Sequence, residues 1–493
     1  MSSPLPTRSM SGTEGGTDAP SGERYTRWSG RLVRRVAVLM LVNVMVDTVI
    51  GAPLLVLPEM LDHFGTDQAA WLNASALLAG AMWAPLLGRS ADMYGTRKVL
   101  VAALLTCCAG ALVCLVAPTV WVFIAGRLLQ GAAVGAMFLS VALVRQICAP
   151  RIAMTAVGVV TSGSAVLGIV SPFLFEVLAA EYGFRSVFVV SAVVAAVAAV
   201  CVRGLIPESP VRTGGKLDVV GAVLLGGGLA AVLSYVSLGS EYGWSAAGPV
   251  ALLIGGAVVL ARWAVRARRI PEPVIDIRNL SRPLALTLLV VVLSTGAYQS
   301  LLQLISLIAE VAPADGLGYG LADQGVRGLL FAAPAVGIMA GGTLAGWLAT
   351  RVGPAPTLAG GVALGTVATI GMYLSVSQFY AALVFAALLG FTAGAIVTSG
   401  FNMATSVAPI ASQGVVTGLV QVMLAIGSVV MNMMGAAVLT STTVFVGGEE
   451  ENSAAGVHAY IALAGGSFVT ATVAAAVLAR WQRGTPSAGS EDP

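Results

Sequence analysis

Long apolar stretches with almost no charge constrain this chain more than any other feature of its sequence. A helix needs about 20 mostly apolar residues to cross the hydrocarbon core of a bilayer. The predicted spans are 36–57, 71–88, 99–117, 121–143, 152–177, 186–204, 218–238, 248–265, 284–310, 327–349, 356–377, 379–408, 415–445 and 457–481. Each run is continuously apolar, whereas the strands of a membrane barrel alternate apolar and polar residues. The sequence therefore predicts an all-α polytopic membrane protein with fourteen spans.

The composition excludes several classes of function. Of the 493 residues, 57% are hydrophobic and 10% are charged, whereas a soluble domain has about 25% charged residues. A water-soluble protein, a disordered protein and a nucleic-acid-binding protein are therefore not expected. Two histidines, and five cysteines without paired spacing, do not form the pattern of a metal centre. We expect no metal and no other cofactor.

The placement of the basic residues predicts the orientation in the membrane. Loops on the cytoplasmic side carry an excess of lysine and arginine. With the N-terminus inside, 23 of the 26 lysines and arginines fall on the cytoplasmic side. The acidic run Glu449–Glu451 then falls outside, in a loop predicted over 446–456. This partition favours an even number of spans in the cell membrane, with a disordered cytoplasmic tail over 1–35 and a second cytoplasmic tail over 482–493.

A short motif occurs twice, eight spans apart. The segments Gly88–Lys98 and Gly346–Gly353 both read G-x-x-A-x-x-x-G across a predicted cytoplasmic turn. Such a repeat is typical of a duplicated bundle with parallel halves. Asp92 lies near a helix end, where it can accept backbone N–H bonds or pair with Arg97. The residues predicted to form a conformational switch are Gly88, Asp92, Gly95, Arg97, Lys98, Gly346, Arg351 and Gly353.

Three segments resemble motifs of the major facilitator superfamily. Gly88–Lys98 is similar to its loop signature G-x-L-A-D-x-x-G-R-K, and Arg127–Gly131 is similar to its R-x-x-Q-G motif. Asp47–Ile50 resembles the L-D-x-T-I-V segment of the fourteen-helix drug:proton antiporters. The resemblance extends over nearly the whole chain, and it implies a secondary transporter and not an enzyme.

The resemblance also implies a domain organisation. Family members of this kind have two six-helix bundles, here 36–204 and 284–481, and we expect the linker 205–283 to contribute two inserted helices. One segment departs from the family pattern. The fifth span of the antiporters carries G-P-x-x-G-G, whereas Ser171–Glu176 keeps the proline and has none of the glycines. Uniport and symport therefore stay open beside antiport.

Ionisable side chains within the spans are candidates for proton coupling. A charge at the centre of a bilayer costs about 2.5–3.5 kcal/mol on insertion scales, so it is tolerated where it faces a cavity or a partner. Asp47 lies in the first span and Arg127 in the fourth, so the two could pair, either for coupling or as a static ion pair. Glu176 is a second candidate, with an interfacial acid as the alternative.

Polar residues within the spans are candidates for a substrate cavity, with helix packing as the alternative for each of them. They are Asn43, Gln130, Tyr298, Gln299, Gln303, Asn402, Gln421 and Asn432. A mildly polar cavity fits an amphipathic organic molecule better than a sugar or a phosphate. The leading hypothesis is a monomeric exporter of such molecules that uses the proton gradient. An importer of another organic solute, a membrane-bound sensor and a membrane enzyme are the alternatives.

Overall fold

The computed structural model describes residues 24–65, 69–208, 218–270, 273, 281–308, 324–409, 412–446 and 449–484. This part of the chain is almost entirely helical, as the apolar runs predict. The first half of the chain forms α1 Gly30–Leu55, α2 Leu57–Phe64, α3 Ala69–Tyr94, α4 Thr96–Val116, α5 Val120–Gln130, α6 Ala132–Ile147, α7 Pro150–Ser162, α8 Ala165–Tyr182 and α9 Arg185–Leu205.

Two further helices, α10 Val219–Tyr242 and α11 Ala247–Arg269, form a hairpin. The second half consists of α12 Arg282–Ile308, α13 Gln324–Val352, α14 Pro354–Leu374, α15 Phe379–Ser406, α16 Gln413–Thr440 and α17 Ala454–Gly484. Within the described residues, eleven helical segments are long and apolar enough to cross a membrane. The polytopic membrane fold is therefore confirmed, and the count of fourteen spans stays a prediction.

Two predicted spans are interrupted helices. The span 121–143 divides into α5 and α6 at Gly131, and 152–177 divides into α7 and α8 at Gly163–Ser164. A Cβ at Gly131 would lie 2.6 Å from Cβ of Ala79 and 2.8 Å from the backbone nitrogen of Gly80, so α3 approaches the main chain closely at this break. Breaks of this kind occur at glycine, where the hydrogen-bond pattern of the helix can be interrupted.

The ends of the chain and the last connection also differ from the prediction. Helix α1 begins at Gly30, inside the predicted tail 1–35, and the backbone of Tyr25 bonds to Ile147 O and Ala149 N at 3.0 and 2.9 Å. Helix α16 ends at Thr440, before the predicted limit of 445.

A hairpin follows α16 where a loop over 446–456 was predicted. Strand β1 (Thr443–Val446) pairs antiparallel with β2 (Glu449–Asn452), in a register that aligns Thr443 with Asn452. The β-branched and aromatic residues of β1 favour a strand over a continued helix.

The two halves meet most extensively along two helix pairs. Helix α3 of the first half packs on α16 of the second, and α7 packs on α13. The buried apolar residues form a large cluster mainly within the first half, a smaller separate cluster in the same half, and a third cluster within the second half. We call the end of the bundle where α3 meets α4 and α13 meets α14 the basic end, because Arg97 and Arg351 lie there.

Candidate functional site

A central cavity of about 620 Å³ lies between the two halves. Its volume is in the range of about 300–1,000 Å³ that is typical of small-molecule sites. Helices α1 and α3 of the first half, α12 and α16 of the second, and α10 of the hairpin contribute to its wall. Most of the lining side chains are apolar, with a few polar groups among them. This composition suits an organic molecule with a large apolar part.

Asp47 of α1 is the acidic group of the cavity. It lines the wall with its side chain exposed to the cavity, and Ser164 hydrogen-bonds to its carboxylate. The break between α7 and α8 positions Ser164 there, because this residue directly precedes α8. Among the described lining residues, only Asp47 and Tyr298 have ionisable side chains. An acid in this position can exchange protons with water in the cavity.

Arg127 of α5 lies fully buried beside the same helix. Its Nη1 donates to the carbonyl of Val49 at 2.8 Å and to Oε1 of Gln130 at 2.8 Å. Arg127 therefore reaches α1 through a backbone carbonyl two residues from Asp47. These described contacts differ from the direct pair with Asp47 that was predicted. The side chain of Glu176, the second predicted protonation candidate, lies outside the described residues.

The structure brings five of the eight predicted cavity residues together. The five that line the cavity are Asn43, Tyr298, Gln299, Gln421 and Asn432. The other three lie elsewhere. Gln130 is fully buried against Arg127, Asn402 is buried in a contact at the basic end, and Gln303 is exposed on α12 outside the cavity lining. The sequence could not separate these groups because it does not give the rotation of each helix about its axis.

Asp92 joins the two halves at the basic end. Its Oδ1 accepts the backbone N–H of Gly414 at 2.8 Å, and its Oδ2 accepts that of Val415 at 3.0 Å. These N–H groups belong to the first turn of α16, which has no intrahelical partners for them and carries a partial positive charge. A Cβ at Gly88 would lie 2.8 Å from the Gly414 carbonyl, so glycine permits this close approach. We call this contact the Asp92 latch.

Arg97 has a different partner from the one predicted. Its Nε lies 3.5 Å from Oε2 of Glu208, its backbone N–H donates to Oε1 of Glu208 at 3.1 Å, and its Nη1 donates to Ile206 O at 3.1 Å. Of the two predicted alternatives for Asp92, this structure therefore has the contact with a helix N-terminus and not the pair with Arg97. Gly95 has a φ of 104°, which favours glycine, and Lys98 is exposed. Arg97 thus anchors the segment after α9 within the first half.

The second copy of the motif makes a contact without an acid. A Cβ at Gly346 would lie 2.8 Å from Met154 O of α7, so α13 and α7 touch through their backbones. Gly353 repeats the positive φ of the first copy, at 92°. Thr350 occupies the position of Asp92, and its hydroxyl donates to Trp347 O of its own helix at 2.7 Å. Arg351 stacks on the Trp347 ring, 4.4 Å from its centre.

Arg145 forms a second polar contact between the halves, which sequence reasoning missed. Its Nη2 donates to the carbonyl and to Oδ1 of Asn402 on α15, at 2.7 and 3.0 Å. Asn402 in turn donates through Nδ2 to Met154 O at 3.1 Å. The predicted span 121–143 ends just before Arg145, so the residue counted as a loop cation in the sequence. We call this contact the Arg145 clasp.

The comparison with known families gives one match that extends over most of the chain. The family model described as Major Facilitator Superfamily matches residues 39–430. Among curated relatives, the Multidrug resistance protein B homolog of Mycobacterium tuberculosis is 29% identical over 62% of this chain and 58% of its own length. The aligned part therefore spans little more than half of that relative. The Uridine/deoxyuridine transporter of Lactococcus lactis is 30% identical over 66% of this chain and 68% of its own length.

A solved structure gives the same fold. The human organic anion transporter MFSD10 (TETRAN) superposes with a TM-score of 0.65 over 91% of this chain and 100% of its own, at 16% identity. At this identity the likeness concerns the fold alone.

Proposed function

Because this chain belongs to the major facilitator superfamily, whose members are membrane transporters and not enzymes, we propose that it exports amphipathic organic molecules and that protons moving inward drive the export. The observation that carries this proposal is the position of Asp47, exposed within a mainly apolar cavity between the two halves. An apolar wall selects for amphiphiles, and one accessible carboxylate gives the cavity a group that can bind a proton. The relative named for multidrug resistance agrees with this class of substrate.

Alternating access requires contacts that exist in one state and break in the other. The Asp92 latch and the Arg145 clasp both join the halves at the basic end, which we propose to be cytoplasmic. With both closed, the cavity opens to the opposite side. Release of both contacts lets the halves separate at the basic end, so that a substrate enters from the cytoplasm.

Proton coupling follows from competition at Asp47. When the cavity faces the more acidic outside, the carboxylate binds a proton and the substrate leaves. When the cavity faces the cytoplasm, the proton dissociates and the substrate binds again. By linkage, the proton and the substrate change each other's affinity by the same factor, typically about 5–150-fold. Arg127 contributes a buried positive charge next to α1 and holds the Val49 carbonyl, so it keeps Asp47 oriented toward the cavity.

Asp47 can be tested in proteoliposomes with an imposed pH gradient and ethidium as the probe. Asp47→Asn should abolish accumulation against a concentration gradient and leave downhill exchange, because the cavity stays intact while its proton site is lost. Asp62→Asn, the same change at an exposed acid outside the cavity, is the matched control and should behave as the wild type. Uphill transport by Asp47→Asn at the wild-type rate would overturn the proposal.

A second candidate function is symport or uniport of a polar organic solute. The uridine/deoxyuridine transporter among the relatives supports it, as does the loss of the antiporter glycines at Ser171–Glu176. The direction of the proton effect separates the two. In proteoliposomes, an acidic interior should slow uptake by a symporter that takes its solute from the outside. The same acidic interior should accelerate accumulation by an exporter that is oriented inside-out.

The proposed orientation has its own test. We propose that the protein lies in the cell membrane with both termini in the cytoplasm, so that Glu450 in β2 faces outside. A Glu450→Cys variant should react with a membrane-impermeant maleimide in intact cells. Reaction only after lysis would reverse the orientation.

A further inference from the structure

Helix α10 presents a regular apolar stripe to the inside of the bundle. Leu225, Leu229 and Leu233 are all buried, and their spacing of four residues puts them on one face of the helix. They belong to the same apolar cluster as residues of α3 and α16. Helix α10 is therefore integrated into the core next to the cavity, although it belongs to neither six-helix half of the predicted organisation.

The α10–α11 hairpin is held together firmly. A Cβ at Gly228 would lie 2.7 Å from Cγ of Leu260, and one at Gly256 would lie 3.0 Å from the Gly228 carbonyl, so the two helices are in close contact. At the start of α10, Asp218 accepts the backbone N–H of Gly221 at 2.8 Å, and Arg266 of α11 approaches it to 3.1 Å. These contacts fix the rotation of α10, and with it the direction of its leucine stripe.

The stripe reaches the cavity itself. Leu229 and Leu233 line it beside Leu77 of α3 and Val422 of α16. Helix α10 packs mainly on α3 and α11 and only lightly on α16. It therefore covers the seam between α3 and α16, one of the two helix pairs with the most extensive contact between the halves. The other pair, α7 with α13, has no such cover among the described residues.

We infer that α10 is a third wall of the substrate site, and that Leu229 and Leu233 bind the apolar body of the substrate. Because both side chains lie on the covered side of the cavity, they enlarge its apolar surface beyond what the two halves provide. The site then favours substrates with a long or broad apolar part over compact ones. This inference rests on the proposed function, since it assigns part of the wall of the same cavity.

The position of the wall can be tested without a substrate. Leu229→Cys and Leu233→Cys variants in proteoliposomes should react with a hydrophilic maleimide that enters the cavity through water. Val258→Cys, on the exposed face of α11, is the matched control and should stay unreactive, because it faces lipid. The wild type, with its five native thiols, is the blank. Unreactive thiols at both leucine positions, with a correctly inserted protein, would overturn the inference.

The contact with substrate can be tested by a growth assay with N-alkylpyridinium ions from butyl to hexadecyl. Leu229→Ala and Leu233→Ala should each reduce protection against the long-chain members about tenfold, since each variant loses most of the apolar contact that a leucine side chain makes. Protection against short-chain members should change less than twofold. Val258→Ala should leave the whole series unchanged. A uniform loss across all chain lengths, at equal expression, would contradict a role in selecting the apolar body.

The two tests separate the inference from the proposed function. If the wild type protects against no member of the series, export of amphiphiles fails, and the labelling pattern alone decides whether α10 forms the wall. If the wild type protects and the leucine variants behave as Val258→Ala, the inference fails and export stands.

Discussion

The two copies of the G-x-x-A-x-x-x-G motif have similar backbones and different chemistry. Gly95 and Gly353 both adopt a positive φ at the turn, and Gly88 and Gly346 both permit close contact with the opposite half. Only the first copy has an acid, Asp92, which binds the N-terminus of α16. Thr350 in the second copy bonds to its own helix. One helix pair is thus joined by a latch that can open. The other is joined mainly by backbone packing, with a hydroxyl contact of 3.4 Å between Ser162 and Thr343.

The same asymmetry appears in the middle of the bundle. The first half contributes Asp47 to the cavity wall, Arg127 to the contacts beside it, and Arg145 to the clasp at the basic end. The second half contributes neutral amides and hydroxyls, such as Gln421 and Asn432. The two halves therefore have similar backbones, and the ionic groups of the described site lie in the first half. This division predicts that equivalent substitutions in the two halves have unequal effects.

The largest difference should come from Asp92 and Thr350. Asp92→Asn weakens one of the two charge-assisted hydrogen bonds and removes the other, because the amide Nδ2 cannot accept a backbone N–H. Hydrogen bonds to a charged group contribute about 1.5–3 kcal/mol each. We expect transport to fall at least about tenfold. Thr350→Val, the matched control, should change it less than twofold. The measurement is the transport rate of each variant at equal expression. Equal losses in Asp92→Asn and Thr350→Val would show that the two copies of the motif do not differ in function.

Moving the acid sharpens the same comparison. Thr350→Asp added to Asp92→Asn should not restore transport, because the α7 atoms next to α13 are the Met154 carbonyl and the Gly158 backbone rather than the N–H groups of a helix start. The measurement is the transport rate of the double variant beside each single variant. Recovery to the wild-type rate would mean that any acid between the halves suffices.

A smaller effect is expected at the Arg145 clasp. Asn402→Ala removes one of the two oxygens that accept from Arg145 and leaves the backbone carbonyl. The closed basic end should open more often, so a Thr405→Cys thiol, buried in the parent protein, should be labelled about threefold faster, for a cost of about 0.7 kcal/mol. The same thiol in a Thr48→Val background controls for general loosening. An unchanged labelling rate would show that the clasp does not hold the basic end closed.

The smallest effect should come from Arg97 and Glu208. Both are partly exposed, and their side-chain atoms are 3.5 Å apart, so the pair contributes at most about 1 kcal/mol. Glu208→Gln should leave transport within about twofold of the wild type. Its effect should also diminish at high salt, whereas that of Asp92→Asn should persist because the latch is buried. Loss of transport in Glu208→Gln would show that the contact between Arg97 and Glu208, rather than the Asp92 latch, is the one on which transport depends.

Much of the fold was accessible from the sequence, because uninterrupted apolar runs leave helices as the structure for crossing a bilayer. The breaks at Gly131 and Gly163 were not predicted, since both glycines lie inside apolar runs and their effect depends on what packs against them. The β1–β2 hairpin was missed because its first strand continues the apolar run of α16. The predicted helix boundaries were therefore wrong at the positions where tertiary contacts decide where a helix ends.

The candidate site was only partly predictable. Asp47 and Asp92 could be found because a charge within or next to an apolar run is rare and needs a compensating environment. Asn402 and Gln130 were named as cavity candidates with helix packing as the alternative. The sequence could not decide between these, because it does not show whether an amide within a span faces a cavity or a buried arginine. Arg145 was missed because it lies just after the end of a predicted span, where a basic residue is expected in a loop. Its partner Asn402 is also far away along the chain.

Proton binding by Asp47 is tested most directly by the protons released when a substrate binds. Ethidium should be added to detergent-solubilised protein in weak buffer at a pH where the wild type holds the proton, with a pH-sensitive dye as the readout. The wild type and Asp62→Asn should release protons in proportion to the bound ethidium, whereas Asp47→Asn should bind ethidium and release none. Equal release by Asp47→Asn and the wild type would contradict proton coupling at this carboxylate.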